Sequence, residues 1–380
     1  MQSLFLTALK RALTRIANDQ ERPLAQPERK SPMHIAGVAF AYPERTVSNA
    51  EMLQIVADQS REGFQGDLNA ALQSIEFYLN YIGSENRHWL AEGEQAFTYT
   101  ERAINDALDQ AGLDKNDIDL LIHASVDKRV IEPAMAFFVA KAMGMDKTQC
   151  FDVTEACGSW TRATQIAQAF LASGQFKNIL IVTAEYACHE GQPLAQNHKL
   201  TSPADLEWAF ASYTVGEGST ATILKADGDK PWQFDNRTFT QYADLCMSPI
   251  VEDDIETMRM GDLSIAGKGR LRFSSYGKKM QDNTIGDLEE MMRENPIPVD
   301  EVDLFIPHTN TLTAWRDLEK RLDKKIPYMF MLPEYGNLVT NSVPAALAVA
   351  EKEGRLERGH KVTALMTAAG MSYTRYNFVY

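Results

Sequence analysis

The sequence predicts an α/β protein built from two copies of one unit, and three observations lead there. Helical periods alternate with short, wholly apolar runs such as those at 120–122 and 179–182, the pattern of sheets covered by helices on both faces. The run DIDLLIHAS from Asp117 has a counterpart in VDLFIPHTN from Val302, and Asp119 stands as far before Cys157 as Asp303 stands before Asn341. Beyond these points a helix runs to Gly174 in the first half and to Gly354 in the second, and ILIVTA then matches VTALMT. Matching landmarks at matching separations indicate an internal duplication, with chance likeness between two ordinary helix–strand units as the competing explanation. The third observation is FDVTEACGSW at 151–160, where an extended segment ends in small residues and opens a helix.

Composition narrows the function. With 380 residues there is room for two such halves, and the formal charge of −14 argues against general nucleic-acid binding. Four cysteines, at 150, 157, 188 and 246, form no CxxC pair or zinc spacing, which suits free thiols in a reducing cytoplasm and predicts no metal site. No run approaches the roughly eighteen apolar residues of a membrane span. Residues 1–16 put Leu6, Leu9, Leu13 and Ile16 on one helix face with Lys10, Arg11 and Arg15 elsewhere. That helix is expected to pack on the body or on a partner rather than a membrane. Its basic residues follow the apolar start, unlike a signal peptide. The polar, proline-bearing stretch to residue 32 reads as a linker, so the expected division is 1–32, a first half at 33–228 and a second at 229–380.

The elements follow in order. HIAGVAFAYP from His34 reads as a strand and turn, and SNAEMLQIVADQS as a helix capped by Ser48. Residues 64–95 show no clear period. FTYTERAINDALDQAGL is a periodic helix closed by Gly112, and DIDLLIHASV a strand. A helix from Pro133 to Gly144, strand CFDVTEA, a helix over 158–173, and strands NILIVTAEY and STATILKAD complete the first half.

Cys157 is placed at or near a helix N-terminus, where unpaired N–H groups and the helix dipole favour a thiolate. A free cysteine is also commonly a small buried hydrophobe, so the local pattern leaves both roles open. A thiolate that forms thioesters needs a proton acceptor and donors for the oxyanion or enolate that follows. The second half offers His308 in FIPHTN and Asn337 in EYGNLVTNSVPAAL, each at a strand or turn end where open α/β sheets hold ligands. Taken singly, they read equally as a loop histidine and a turn amide.

Together FDVTEACGSW, FIPHTN, GNLVTNSVPAAL and VGEGSTATIL resemble the thiolase-fold condensing enzymes of the β-ketoacyl-[acyl-carrier-protein] synthase III type, over about residues 33 to 380. The resemblance implies a five-layered αβαβα sandwich of two similar halves, usually a homodimer, with a heterodimer as the variant form. It implies that Cys157 takes an acyl group, and that His308 and Asn337 stabilise the enolate of a second, malonyl or β-ketoacyl thioester in a Claisen condensation. Acyl-coenzyme A or acyl carrier protein thioesters are then substrates and no resident cofactor is needed. Two neutral donors aimed at one carbonyl oxygen stabilise an enolate without presenting an acid that would quench it.

Departures from the family pattern carry information. Glu132 before Pro133 stands where priming synthases carry an aromatic residue; a similar Glu-Pro occurs in relatives that join two acyl chains head to head, where the glutamate is thought to act as base. The alternative is an acid at a helix N-terminus. The glycine-rich loop reads TAAGMSYTRY, with Gly370 followed by Met371 and Ser372, and the N–H groups of Cys157 and Ser372 are the expected oxyanion donors. Phe77 and Tyr81 fall where a tryptophan and an arginine commonly grip coenzyme A. Glu155 replaces a small or amide residue and is expected to point away from the thiol. Arg316, Lys320 and Arg321, with Lys324 and Lys325 beyond them, form a basic stretch suited to an acidic carrier protein, the competing reading being a solvated helix face. Two further readings stand beside condensation: transfer of the Cys157-bound acyl group to an oxygen or nitrogen nucleophile, and a catalytically silent subunit of a heteromeric enzyme.

Overall fold

The computed structural model describes residues 33–228, 230–247, 301–323 and 325–380, with short pieces at 259–260, 263–264, 272–273, 286, 289–291 and 293–294. The expected amphipathic helix at 1–16, its linker and Lys324 lie outside the described residues.

Two sheets of one design form the frame. The first runs β1 (His34–Ala41), β7 (Gly218–Lys225), β6 (Asn178–Glu185), β4 (Leu120–His123), β5 (Gln149–Asp152) across its width. The second runs β8 (Gln233–Thr238), β11 (Ser372–Val379), β10 (Lys361–Ala368), β9 (Leu304–Pro307). In each, one parallel pair (β4 with β6, β9 with β10) is followed by two antiparallel steps. Even the edge strand β5 has an echo, because Phe305 N–H donates to Pro327 O and Met329 N–H to Phe305 O beside β9. The repeated aspartate does the same work twice: Asp119 Oδ2 accepts from Asn178 N–H at 3.0 Å, and Asp303 Oδ2 from Lys361 N–H at 2.8 Å, each at the start of the central strand. The duplication legible in the sequence is therefore one of topology.

Strand alternation distributes side chains to two faces. Leu120, Ile122, Ile179 and Ile181 face a central layer, while Leu121, Leu180 and Val182 face outward onto α3 (Ala96–Ala111) and α4 (Met135–Met143). The central layer is α5 (Ser159–Ser173) and α7 (Ser342–Lys352), whose Ala163, Ala167, Ala345, Ala346 and Ala350 join one core with Ile306, Ala364 and Met366 of the second sheet. Small residues on both helices let two sheets close on them. Beyond the second sheet, Trp315 and Leu318 of α6 (Leu312–Leu322) pack with Phe305, Leu365 and Tyr373. The layers are αβαβα, as the resemblance implied.

Local signals act where the sequence placed them. Ser48 Oγ accepts from Glu51 N–H to start α1 (Asn49–Ser60), and Gly112 ends α3 in the left-handed conformation. Residues 64–95, without a clear period, contain α2 (Leu68–Ile82) and β3 (Asn86–His88), which pairs with β2 (Thr46–Ser48). Asp67 caps α2 and Ala71, Ile75 and Leu79 are buried at helical spacing. The signal was blurred because Phe77 and Tyr81, large and apolar, are exposed on the opposite side.

Candidate active site

Cys157 follows β5 of the first sheet and His308 follows β9 of the second, each just past the C-terminal end of a parallel strand. Cys157 follows β5 by a tight elbow in which Ala156 takes φ of 45°. Only a firmly held turn keeps a non-glycine residue there. Ser159 supplies the hold: its Oγ accepts from Glu155 N–H at 2.8 Å and donates to Ala156 O at 2.7 Å. Gly158 completes the approach, since a Cβ at that position would sit 3.2 Å from the Ala368 Cβ at the end of β10. The Cys157 elbow, carried by the first half, thus rests against Ala368 of the second. Helix α5 starts at Ser159, two residues on, but the expected thiolate bias is outweighed. Burial pushes the Cys157 thiol up, with Cys246 and Glu185 adding to the shift.

His308 and Asn337 are joined by a chain of short polar contacts. His308, 4% exposed at the end of β9, has Nδ1 3.0 Å from Ser342 Oγ. Ser342 Oγ lies 2.7 Å from Thr309 Oγ1, and Thr309 Oγ1 donates to Asn337 Oδ1 at 3.3 Å while accepting from Leu338 N–H. Val339 N–H also donates to Asn337 Oδ1, at 3.0 Å. With Oδ1 occupied in this way, the side-chain NH2 of Asn337 is the edge left for a ligand. Burial lowers the His308 pKa to about 3, so the ring is neutral at pH 7. Two neutral groups, an imidazole and an amide, are therefore held in one fixed relation.

The turn bearing Asn337 is seated by glycine. Asn337 N–H donates to Thr214 O at 2.7 Å and Gly216 N–H to Asn337 O at 3.0 Å. A Cβ on Gly216 would lie 2.1 Å from Tyr335 O, and one on Gly336, whose φ is 74°, would lie 2.5 Å from Thr214 O. The VGEGST segment thus owes its glycine to close backbone crossing.

Other expected site residues fare differently. Glu155, expected to point away from the thiol, is held by Arg162 through Nε at 2.7 Å and Nη2 at 2.8 Å, and Ser372 Oγ donates to it at 3.1 Å. Arg162 lies in the first turn of α5, seven residues after Glu155. The amide of Ser372 is a correction to the oxyanion expectation. Met371 N–H is spent on Phe239 O, and alternation along an antiparallel strand turns the next residue toward the other neighbour, so Ser372 N–H faces Ala368 of β10. Glu132 is exposed in the loop before α4, flanked by the exposed Ile131, Phe137 and Phe138. Arg316 and Lys320 are exposed on α6, and Arg321 pairs with Asp317 at 2.9 Å and Glu289 at 3.2 Å. Phe77 and Tyr81 stack with centroids 6.3 Å apart, close to α6 through the hydrogen bond from Thr313 to Tyr81 O.

One buried acid escaped the sequence reading altogether. Glu185 ends β6 at 4% exposure, and desolvation raises its pKa to about 7. Its only sequence signal was a carboxylate closing an apolar strand.

Comparison with known proteins places this geometry. Residues 292–376 match the C-terminal family description of 3-oxoacyl-[acyl-carrier-protein] synthase III, and residues 151–190 match that enzyme's main description. The β-ketoacyl-[acyl-carrier-protein] synthase III of Desulfotalea psychrophila is 24% identical over 344 residues, covering 89% of this chain and 97% of the relative. That of Aquifex aeolicus is 28% identical over 284 residues, covering 74% and 82%. Among solved structures, Xanthomonas campestris OleA with bound lauric acid and lauroyl-CoA matches at a TM-score of 0.73 and 21% identity, over 92% of this chain and 100% of that one. A histidine-to-alanine variant of OleA matches at 0.74 and 21% over 92% and 99%, and a glutamate-to-alanine variant has also been solved.

Proposed function

We propose, for a chain that is a synthase III-like member of the thiolase-fold condensing enzymes, that Cys157 carries an acyl group which the site joins by a Claisen condensation to a second acyl thioester. The observation that carries the reading is the coupling of neutral His308 to Asn337 through Ser342 and Thr309, in a chain whose other half supplies the Cys157 elbow. In loading, Cys157 Sγ attacks the donor thioester carbonyl and its proton leaves with the departing thiol; the Cys157 N–H stabilises the oxyanion. In condensation, Asn337 and His308 hydrogen-bond the carbonyl oxygen of the second thioester as its α-carbon becomes an enolate. The α-carbon attacks the acyl carbonyl and Cys157 thiolate is expelled.

Glu132 is the base that removes the α-proton in this reading, which makes the reaction a non-decarboxylative, head-to-head joining of acyl chains. Its exposure on an isolated chain, between Ile131 at 77% and Phe137 at 52%, supports a site completed by a second copy that covers this apolar face. Acyl carrier protein is the proposed donor, docking on Arg316 and Lys320, because α6 starts just past His308 and presents both at an exposed face. Phe77 and Tyr81 offer coenzyme A a stacking surface but no cation for its phosphates.

The test is intact-mass measurement after exposure to a panel of acyl thioesters. The wild type should gain the mass of the acyl group and Cys157→Ala should not. Acylation that persists in the alanine variant overturns the assignment and points to another nucleophile.

A further inference from the structure

We propose that Glu185 is a positioning residue of this site, clamping the root of the Glu132 loop and the turn that bears Asn337 onto one carboxylate. Oε1 accepts from Val126 N–H at 2.9 Å and from Thr340 Oγ1 at 2.6 Å, and Oε2 accepts from Asp127 N–H at 3.1 Å. Val126 and Asp127 open the segment that leads from β4 to Glu132. Thr340 lies in the single helical turn Val339–Asn341 that follows Asn337. The grip on the loop is doubled, because Asp127 Oδ2 accepts from Tyr186 N–H at 3.1 Å, the residue after Glu185. Two consecutive backbone N–H groups and a hydroxyl converging on one acid form a fixed joint between two segments far apart in sequence.

The joint sits where misplacement matters. In a site completed by a second copy, the joint ties the loop that carries the base into the site of one copy to the turn that carries the amide of the other, and a shift of about 1 Å in either costs about 10²-fold in rate. The inference rests on the reading of Glu132 and Asn337 given above, but the joint itself does not. Charge state bears on it too. Asp127 faces Glu185 from the loop and raises its pKa, Thr340 lowers it from the turn, and the thiols of Cys157 on the elbow and Cys188 beyond β6 lie within its field. Arg129 acts on Asp127, at 3.2 Å. A proton on Glu185 replaces an acceptor by a donor facing amide N–H groups, so acidification below about pH 7 opens the joint.

Glu185→Gln keeps the size and one acceptor but sets an NH2 against the N–H groups. Hydrogen exchange read by mass spectrometry should show amides of segments 125–132 and 338–341 exchanging at least about 10-fold faster in this variant. Starting from enzyme already acylated on Cys157, condensation should fall by about 10²-fold while loading changes by less than about 3-fold. Thr340→Ala should loosen 338–341 alone, with a smaller loss. Wild-type protection in both segments, taken relative to the intrinsic exchange rate at each pH, should fall as pH falls from about 8 to about 6, and should not in Glu185→Gln. Unchanged exchange in both segments of Glu185→Gln, or condensation at the wild-type rate, overturns the proposal, as does an equal loss of loading and condensation. If Glu185→Gln does not fold, Thr340→Ala and the pH series on the wild type decide: protection that does not change with pH refutes the joint. A wild type that loads but never condenses defeats the proposed function, and the exchange results still decide the joint.

Discussion

Replacing Ser342 by alanine isolates the orientation of His308 from its presence. The imidazole is 4% exposed, and among the described residues Nδ1 has one hydrogen-bond partner, Ser342 Oγ at 3.0 Å. Ser342→Ala leaves that nitrogen buried and unpaired, which costs about 1–3 kcal/mol. Thr309 also loses its 2.7 Å contact but keeps Leu338 N–H and Asn337 Oδ1, so the loss there is small. A stability loss of about 2 kcal/mol is expected, read from the shift of the denaturant midpoint at constant slope. Because a loosened ring no longer meets the enolate oxygen, a similar amount is lost from the transition state, or about 10- to 30-fold in rate. The assay loads Cys157 first, then follows carbon–carbon bond formation in a single turnover. Full condensation in a variant that has lost the expected stability refutes the reasoning, because the orientation of His308 would then be irrelevant to the reaction. An equal loss of loading would instead assign His308 to the Cys157 step.

Three further outcomes follow from the same geometry. Glu132→Gln should load normally but condense at least about 10²-fold more slowly, and wild-type condensation of a malonyl thioester by this variant with release of carbon dioxide would show a decarboxylative synthase instead. Reversing Arg316 and Lys320 to glutamate should slow transfer from a carrier-bound donor about 10-fold at low salt and much less at high salt; equal rates remove α6 as the docking face. Stability should fall on acidification below about pH 6. His123 and His198 are held near 4 and His308 near 3 by burial, against 6.5 when unfolded, so between those values the unfolded chain binds protons that the folded chain does not. Each histidine then costs up to about 1.4 kcal/mol per pH unit. Glu185, near 7 folded against 4.5 unfolded, takes up its proton first in the folded state and opposes this, as does Asp127, raised by burial, while His88, lowered by burial, adds to the histidine side. A thermal midpoint that is flat or rising from about pH 7 to about pH 5 contradicts these assignments.

By itself the sequence determined the architecture and singled out the candidate reactive side chains, because both are written in local signals. Period and capping residues place helices and strands, and a duplicated chain writes its landmarks twice: Asp119 and Asp303 are legible as a pair before their identical hydrogen bonds are seen. Cys157, His308 and Asn337 stand in short motifs at element ends, where a strand delivers a side chain to the sheet edge. What tertiary structure alone decided are the electrostatics and the partners. The helix start after Cys157 promised a thiolate, but desolvation, a property of everything packed around it, raises the thiol. The glycine-poor loop suggested Ser372 as an oxyanion donor, but strand alternation turns its amide toward Ala368 and gives its hydroxyl to Glu155. Arg321, read from the sequence as part of a basic stretch, pairs with Glu289, a partner distant in sequence. Glu185 has no motif at all. Its meaning lies in bonds to Val126, Asp127 and Thr340, groups brought to one carboxylate only when two halves of the chain close on each other.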